Sequence, residues 1–280
     1  FHGHPDSTLI RSGSSLLSSG QASSAGISQK VASDVFIANY NDIDSVERIL
    51  NEYADEIASI IIEPLAGNMG LIKPNEGFLE NIRRLADKYS VLLIFDEVIN
   101  GFRVHAGTYG SLCGVTPDIT TFGKIIGGGL PIGAIGGKKA IMEYLAPVGP
   151  VYQSGTLCGN PLALSVGKKT VEILIDQSPY EKMEALGKKI ANEINQIAKE
   201  KELALHCPQI GSMFTPFFRS EPVNNLEDAK NCDHKEYARF FHFMLDNGFY
   251  MPPSGYEVSF LSAAHTDDQI DKFLSDLSSF

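Results

Sequence analysis

Asp96 and Lys124 are the two residues of the sequence whose type and spacing best fit shared chemistry. Asp96 ends the apolar run 92–95, and Lys124 follows the run 119–122 and precedes three glycines. Ligands of open α/β sheets bind at the carboxyl ends of strands, where both side chains would lie. A carboxylate there can hold a protonated ring nitrogen, and a buried lysine with a lowered pKa is a nucleophile. For Asp96 alone, a helix cap or salt bridge is the favoured interpretation. For Lys124 alone, the alternative is a solvated surface charge, which the apolar strand beside it disfavours.

A third candidate segment runs from Tyr152 through Ser154, Gly155 and Thr156 to a predicted helix at 161. Small residues with hydroxyl and N–H groups at the start of a helix suit a phosphate, although for the segment alone an ordinary capped loop is the favoured interpretation. Neither common nucleotide-binding glycine pattern fits the glycines around Lys124, so a nucleotide is not indicated.

The elements that must position these residues alternate between helix and strand. Continuous apolar strands between amphipathic helices predict a parallel sheet that is covered on both faces. The predicted helices are 44–53 and 77–89, and the predicted strands are 58–63, 91–95, 119–122 and 133–136.

The pattern changes after Gly159, and we predict a large domain at 1–175 and a small α+β domain at 176–280. Helices are predicted at 161–175, 179–201, 234–247 and 267–277, the last with Thr266 as its N-cap. Strands are predicted at 203–206, 211–218, 249–251 and 258–261.

The composition narrows the function classes. The net charge of −11 disfavours nucleic acid and anionic membranes as partners, and no apolar stretch reaches the ~20 residues of a membrane span. No signal peptide is recognisable. Four scattered cysteines, with no metal-ligand spacing among them or the histidines, predict reduced thiols, no metal and a cytoplasmic location. The Ser/Gly-rich stretch 12–28 is interpreted either as a lid or as disorder.

The segments LLIFDEVINGFR (92–103) and PDITTFGKIIGGGLPIGA (117–134) together resemble the class III aminotransferases, which bind pyridoxal 5′-phosphate (PLP). Within this family, GPVYQSGTLCGNPLA (149–163) and SFLSAAHT (259–266) are similar to the glutamate-1-semialdehyde 2,1-aminomutases. The resemblance covers essentially the whole chain and lacks the N-terminal portion of such enzymes. It implies a fold-type I α/β architecture, with a mixed, mostly parallel sheet and a small C-terminal α+β domain.

The resemblance also implies roles around PLP or its amine form, pyridoxamine 5′-phosphate (PMP). Lys124 would attach PLP covalently and move protons, and Asp96 would keep the pyridine nitrogen protonated. Val98 would pack on one face of the ring. Phe1, followed by His2, would stack on the other face, at a position where the family usually has tyrosine.

Three further cofactor contacts are implied by the same resemblance. Asn68 would lie near the phenolic oxygen. Gly155 and Thr156 would bind the phosphate of the neighbouring subunit, which implies a homodimer with shared active sites.

The implied substrate contacts are Glu257, Ser14 and Tyr152, and residues 4–32 match a mobile gating loop. Related transaminases often clamp an α-carboxylate with an arginine of the small domain. No arginine follows Arg239 here, and Glu257 stands at the matching place. A surface position for Glu257 fits the residues about as well as a functional one.

The implied reaction is an intramolecular amino transfer that converts glutamate-1-semialdehyde to 5-aminolevulinate in tetrapyrrole synthesis. An ω- or β-amino-acid transaminase that needs a second substrate is the alternative. An inactive, cofactor-free remnant stays open as a third hypothesis.

Overall fold

The computed structural model describes residues 1–10 and 24–280, without the side chain of residue 29. The chain forms two compact units. The sheet unit comprises Ile43–Pro64 and Glu76–Pro179, and the C-terminal unit comprises Phe1–Asp42, Leu65–Asn75 and Tyr180–Phe280. The predicted domains 1–175 and 176–280 follow a different division, because the first 42 residues and the segment 65–75 belong with the C-terminal unit. That division stays a prediction.

The sheet unit contains four strands in the order β1-β2-β3-β4. The first three pair in parallel, and β4 runs antiparallel to β3. The strands are β1 (Ser59–Ile62), β2 (Leu92–Asp96), β3 (Ile119–Phe122) and β4 (Ala134–Gly137). The helices of this unit are α2 (Ile43–Tyr53), α3 (Phe78–Tyr89), α4 (Tyr109–Cys113), α5 (Lys139–Met142) and α6 (Pro161–Gln177), with 3₁₀ turns at Ala54–Glu56 and Lys124–Gly127.

Helix α3 shows how the sequence builds this unit. Its apolar residues recur at helical spacing and form one buried face that includes Ile82 and Leu85. The helix begins after Gly77 and ends at Ser90, and both flanking residues have left-handed backbone angles, which are common at the C-terminal end of a helix. Strand β2 follows directly, so α3 and β2 form the packed support beneath Asp96.

The C-terminal unit is built around long helices and a small sheet. Strands β5 (Gln209–Ile210), β6 (Met213–Phe214) and β7 (Ser259–Phe260) pair antiparallel in that order. The helices are α1 (Gln29–Ser33), α7 (Tyr180–Glu200), α8 (Leu226–Lys230), α9 (His234–Asp246) and α10 (Asp267–Leu277), and a 3₁₀ turn spans Asp6–Thr8.

The main core of the C-terminal unit lies between α7, α9 and α10. Phe218, Phe240 and Phe280 meet there with ring centroids 5.6 to 6.1 Å apart. Thr266 caps α10, and its capping box with Gln269 confirms the predicted start of this helix.

The sequence predicts the longer helices well, but it misses the short helices α1, α4, α5 and α8 and predicts the short strands poorly. The mixed, mostly parallel α/β sheet is confirmed, but the expected cover on both faces is incomplete, because β4 is mostly exposed. The predicted strands 203–206 and 249–251 are wrong. In the first segment only His206 forms an isolated β-bridge, with Phe217, and the second segment has no strand pairing. The predicted strand 211–218 shortens to Met213–Phe214. Such short apolar stretches pack without the regular pairing that defines a strand.

Candidate active site

Asp96 lies at the carboxyl end of β2 and is 5 % exposed. Its Oδ1 atom accepts hydrogen bonds from the Val98 amide at 3.0 Å and from the Thr121 hydroxyl at 3.2 Å. Thr121 is the residue opposite Asp96 in the pairing of β2 with β3. Two donors to one oxygen fix the orientation of a carboxylate whose last torsion is otherwise soft.

Glu97, the next residue, is a second buried carboxylate, and its hydrogen-bond partners differ from those of Asp96. It accepts the amide N–H groups of Tyr109 at 2.5 Å and Gly110 at 3.0 Å, at the start of α4. Burial raises the pKa of the Glu97 carboxyl, and these two N–H groups and the nearby His105 oppose the rise. Glu97 thereby anchors the turn that follows Asp96 to α4.

Lys124 opens the 3₁₀ turn after β3 and adopts a left-handed backbone angle, φ +46°. This region is disfavoured for residues other than glycine and often marks functional positions. A Cβ atom on the preceding Gly123 would lie 3.2 Å from Cγ1 of Val98, so the turn approaches the segment after Asp96 closely. Lys124 is exposed, so the described chain alone does not provide the buried environment that favours a nucleophilic amine.

Glycines in the turn after Lys124 and in helix α6 let the turn and the helix pack closely. A Cβ atom on Gly128 would overlap the Thr170 hydroxyl, and one on Gly167 would overlap the carbonyl oxygen of Ile126. Glycine is needed here because the backbones approach too closely for a side chain. The Lys124 turn is therefore held on one side by Val98 and on the other by α6.

The predicted phosphate segment leads directly into α6. Asn160 is the N-cap of this helix, and its Oδ1 accepts the Ala163 amide at 2.9 Å. Gly155 and Thr156 lie in the loop before the cap and are exposed, as is Tyr152, which is 81 % exposed. The structure confirms the capped loop, while phosphate binding stays a prediction.

The predicted contacts Phe1 and His2 belong to the C-terminal unit. The ring of Phe1 meets that of His4 edge to face, with centroids 5.1 Å apart, and the hydroxyl of Thr8 donates to the Gly3 carbonyl at 3.0 Å. These contacts shape the start of the chain into a turn. Stacking of Phe1 on a cofactor stays a prediction.

Asn68 and Glu257 are also in the C-terminal unit, and their segments meet there. The Gly70 amide donates to the Tyr256 carbonyl at 2.6 Å. The buried Thr215 hydroxyl accepts the Leu71 amide at 3.0 Å and donates to the Glu257 carbonyl at 3.3 Å. One hydroxyl thus bridges the segment after Asn68 and the segment that carries Glu257.

The predicted site residues fall into the two compact units. Asp96, Val98, Lys124, Tyr152, Gly155 and Thr156 lie in the sheet unit, whereas Phe1, His2, Asn68 and Glu257 lie in the C-terminal unit. Ser14 and the middle of the predicted gating loop 4–32, residues 11–23, lie outside the described residues, and the described ends of that loop contain the Asp6–Thr8 turn and α1.

Three polar residues at these places were not singled out from the sequence. Glu97 lies within the segment 92–103, and an acidic residue at the end of an apolar strand is a recognisable signal of a buried carboxylate. Thr121 and Thr215 give no such signal, because threonine is common in strands and its partners are distant in sequence.

The full chain, residues 1–280, matches the family model described as "Aminotransferase class-III". The chain belongs to the class III aminotransferases. A relative named glutamate-1-semialdehyde 2,1-aminomutase, from Sulfurihydrogenibium azorense, is 44 % identical over 274 residues. That match covers 98 % of this chain and 64 % of the relative, so the chain spans less than two thirds of the relative's length.

Solved structures of a transaminase and of an aminomutase share the fold. An omega-transaminase from Sphaerobacter thermophilus aligns with a TM-score of 0.84 and 28 % identity over 92 % of this chain and 59 % of its own. A glutamate-1-semialdehyde aminomutase from Pseudomonas aeruginosa PAO1, in complex with PMP, aligns with a TM-score of 0.85 over 100 % of this chain and 63 % of its own. At 23 % identity the second match supports the fold alone.

Two properties of this class III chain concern metals and membranes. In the part of the chain that the structure describes, no group of three His, Cys, Asp or Glu side chains is placed to hold a metal ion. No helix within residues 1–10 and 24–280 is long and apolar enough to cross a bilayer.

Proposed function

We propose that this chain carries the PLP-binding centre of a glutamate-1-semialdehyde 2,1-aminomutase. The observation that carries the proposal is the hydrogen-bonded pair of Asp96 and Thr121, because Thr121 lies only three residues before Lys124. The chain is also 44 % identical to a relative of that name. The cytoplasmic location stays a prediction.

The groups present in the sheet unit suit PLP chemically. A buried carboxylate with two donors on one oxygen suits a protonated pyridine nitrogen, and the Lys124 amine suits an aldehyde. The hydroxyl and N–H groups of Gly155 and Thr156, before the capped start of a 17-residue helix, suit a phosphate. The cofactor, when bound, supplies an electron sink that stabilises negative charge at the substrate carbon.

The side chains of this chain would then have distinct tasks. Asp96 holds the proton on the ring nitrogen, and Val98, packed beside Gly123, limits the space on one ring face. The Nζ atom of Lys124 would hold the aldehyde form of the cofactor covalently and would carry protons for C1 and C2 of the substrate during the reaction. Tyr152 and Ser14 are the further substrate contacts that we propose.

In the C-terminal unit, Phe1 would stack on the ring, with His2 beside it, and Asn68 would contact the phenolic oxygen. Glu257 would disfavour an α-carboxylate on the substrate and tolerate an amino group. Its carbonyl accepts the Thr215 hydroxyl, and its amide donates to the Ser254 carbonyl at 3.0 Å, so its backbone is fixed. No arginine follows Arg239 to bind an α-carboxylate. The proposed substrate is therefore glutamate-1-semialdehyde, and the product is 5-aminolevulinate.

The decisive experiment supplies glutamate-1-semialdehyde to the complete gene product loaded with PMP, without amino donor or oxo acid. Multiple turnovers to 5-aminolevulinate that disappear in Lys124→Ala support the aminomutase. The Lys124→Ala control is needed because the substrate can rearrange without enzyme. A protein that turns over only after a second substrate is added is a transaminase, and the proposal then fails.

A transaminase is the second candidate, favoured by the 28 % identity to the Sphaerobacter omega-transaminase. The same assay separates the two candidates. The variant Glu257→Arg adds a test of the substrate contact, because an arginine at this position would favour substrates with an α-carboxylate over those with an aldehyde at C1. We expect it to lose aminomutase activity.

We also propose a homodimer with shared active sites. The segment around the phosphate loop exposes several apolar side chains, including Leu157 at 77 % and Leu162 at 67 %. Such a patch is typical of an interface between protein chains. Gly155 and Thr156 in this patch would reach the cofactor of the second copy.

Mixed dimers test this arrangement. Lys124→Ala and Thr156→Val are each expected to be inactive or strongly impaired. Refolded together, they should regain about a quarter of wild-type activity, because half of the dimers contain one site with both intact residues. A mixture no more active than its components would contradict shared sites.

A further inference from the structure

Thr121 contacts the turn around Asp96 through both its side chain and its backbone. Its hydroxyl donates to Oδ1 of Asp96 at 3.2 Å, and its carbonyl oxygen accepts the Glu97 amide at 3.0 Å. Both contacts arise because Asp96 and Thr121 are partners in the parallel pair β2–β3. Thr121 therefore binds the acid and the residue that follows it.

We infer that Thr121 is a positioning residue for Asp96, an inference that rests on the proposed function. The last side-chain torsion of an aspartate is broadly distributed, so the orientation of its carboxylate is set by the groups that bind it. Here those groups include the Val98 amide and the Thr121 hydroxyl, both on Oδ1. Donors to a carboxylate also stabilise its ionised form, which is the form that a protonated ring nitrogen requires.

The position of Thr121 also couples the acid to the lysine. Thr121 lies three residues before Lys124, and Gly123 between them packs against Val98. The strand ends at Phe122, so little chain separates the hydrogen bond to Asp96 from the left-handed turn at Lys124. Loss of the hydroxyl would loosen the orientation of Asp96 while β3 stays paired through its backbone.

The neighbouring Thr120 provides a matched control. Successive side chains in a strand point to opposite faces of the sheet, so Thr120 faces away from the Thr121 side. It pairs with Phe95 and Gly136 rather than with Asp96. Valine at either position keeps the β-branched shape that suits a strand and replaces the hydroxyl with a methyl group.

The test uses the complete gene product and four variants: Thr121→Val, Thr121→Ser, Thr120→Val and Asp96→Asn. Equilibrium dialysis gives the dissociation constant for PLP, and visible circular dichroism reports how the bound cofactor is oriented. We expect Thr121→Val to bind PLP about tenfold more weakly, the size expected for one hydrogen bond to a charged group. Its visible dichroism should also fall. Thr121→Ser and Thr120→Val should stay within about twofold of wild type on the same scale.

Each other result overturns a stated idea. If Thr121→Val matches wild type in both measurements while Asp96→Asn does not, Thr121 has no positioning role and the proposed function stands. If Thr120→Val is as impaired as Thr121→Val, or serine fails to restore binding, the effect is one of sheet stability and the inference is wrong. If Asp96→Asn binds PLP as wild type does, the proposed role of Asp96 fails, and the inference fails with it.

Discussion

Gly70 donates its amide N–H to the carbonyl oxygen of Tyr256 at 2.6 Å. This bond joins the segment after Asn68 to the residue before Glu257, two positions that lie far apart in the sequence. Gly70 has φ +79°, and a Cβ atom there would overlap the ring of Phe217. Both the backbone angle and the lack of space require glycine at this junction.

We predict that Gly70→Ala destabilises the protein by about 2–4 kcal/mol, the sum of a left-handed alanine and an overpacked core contact. Urea unfolding measures the change. Gly248→Ala is the matched control, because Gly248 also has a positive φ, +89°, but has open space around its Cβ position. That control should lose only about 1–2 kcal/mol. Equal losses in the two variants would contradict a steric role for Phe217.

A second prediction concerns the packing of the Lys124 turn on α6. In Gly167→Ala the new methyl group would overlap the Ile126 carbonyl, so the turn must move away from the helix. We expect a loss of about 1–3 kcal/mol in the free energy of unfolding, together with weaker PLP retention on gel filtration.

Gly136→Ala in β4 is the control for Gly167→Ala. Gly136 has no atom within 4 Å of its Cβ position, so alanine there should change both properties little. Retention of PLP by Gly167→Ala at the wild-type level would show that the position of the turn does not depend on this contact.

How far the sequence predicts the structure depends on the range of the interactions involved. The start of α10 at Thr266 follows from a local capping pattern, and the places of Asp96 and Lys124 follow from apolar runs beside them. The antiparallel direction of β4 cannot be predicted in this way, because the short segment 133–136 carries no information on strand direction. The incorrect strand predictions at 203–206 and 249–251 also come from short segments, since short apolar runs occur in irregular core segments as well as in strands.

The polar contacts that hold the candidate site depend on long-range pairing. The bond from the Leu71 amide to the Thr215 hydroxyl joins residues 144 positions apart. The role of Thr121 depends on the register of β2 with β3, which periodicity cannot specify. The resemblance supplied the chemical roles, whereas the supporting hydroxyl groups became visible only in three dimensions.

Asp118 gives a third prediction, in which stability depends on pH. It lies before β3, accepts the Leu93 amide at 2.8 Å and pairs with Arg83 at 2.8 Å and Lys138 at 2.5 Å. Burial opposes its ionisation, but these three donors outweigh burial and lower the pKa of Asp118 from 3.8 to about 2. A pKa depressed in the folded state contributes stability above the unfolded value, and this stability is lost as the pH falls toward 2.

The lowered pKa corresponds to about 2.5 kcal/mol at neutral pH. Asp118→Asn should therefore lose about 2–3 kcal/mol of unfolding free energy at pH 7, and the gap to wild type should narrow below about pH 4. Urea unfolding between pH 3 and 7 measures this. Asp87→Asn, which removes the exposed partner of the same Arg83, should lose less than about 0.5 kcal/mol. A constant gap across the pH range would contradict the ionic role of Asp118.

Glu97 gives the fourth prediction, with the opposite sign. Burial raises the pKa of its carboxyl above 4.5 in the folded protein, against the opposing Tyr109 and Gly110 amides. The folded state then binds more protons than the unfolded state between the two pKa values. Stability must therefore fall as the pH rises from 4.5 through the folded pKa, and it levels off above that value.

Glu97→Gln removes this titration, because glutamine stays neutral at every pH. The variant should be less stable than wild type at pH 4, where its amide N–H₂ replaces an acceptor facing two backbone N–H groups. The gap should then shrink as the pH rises to 7. Urea unfolding at several pH values measures the gap, and Glu143→Gln, which changes an exposed carboxylate of the same unit, is the control. A gap that widens with pH would mean that the two N–H groups outweigh burial, so that Glu97, like Asp118, stabilises the fold in its ionised form.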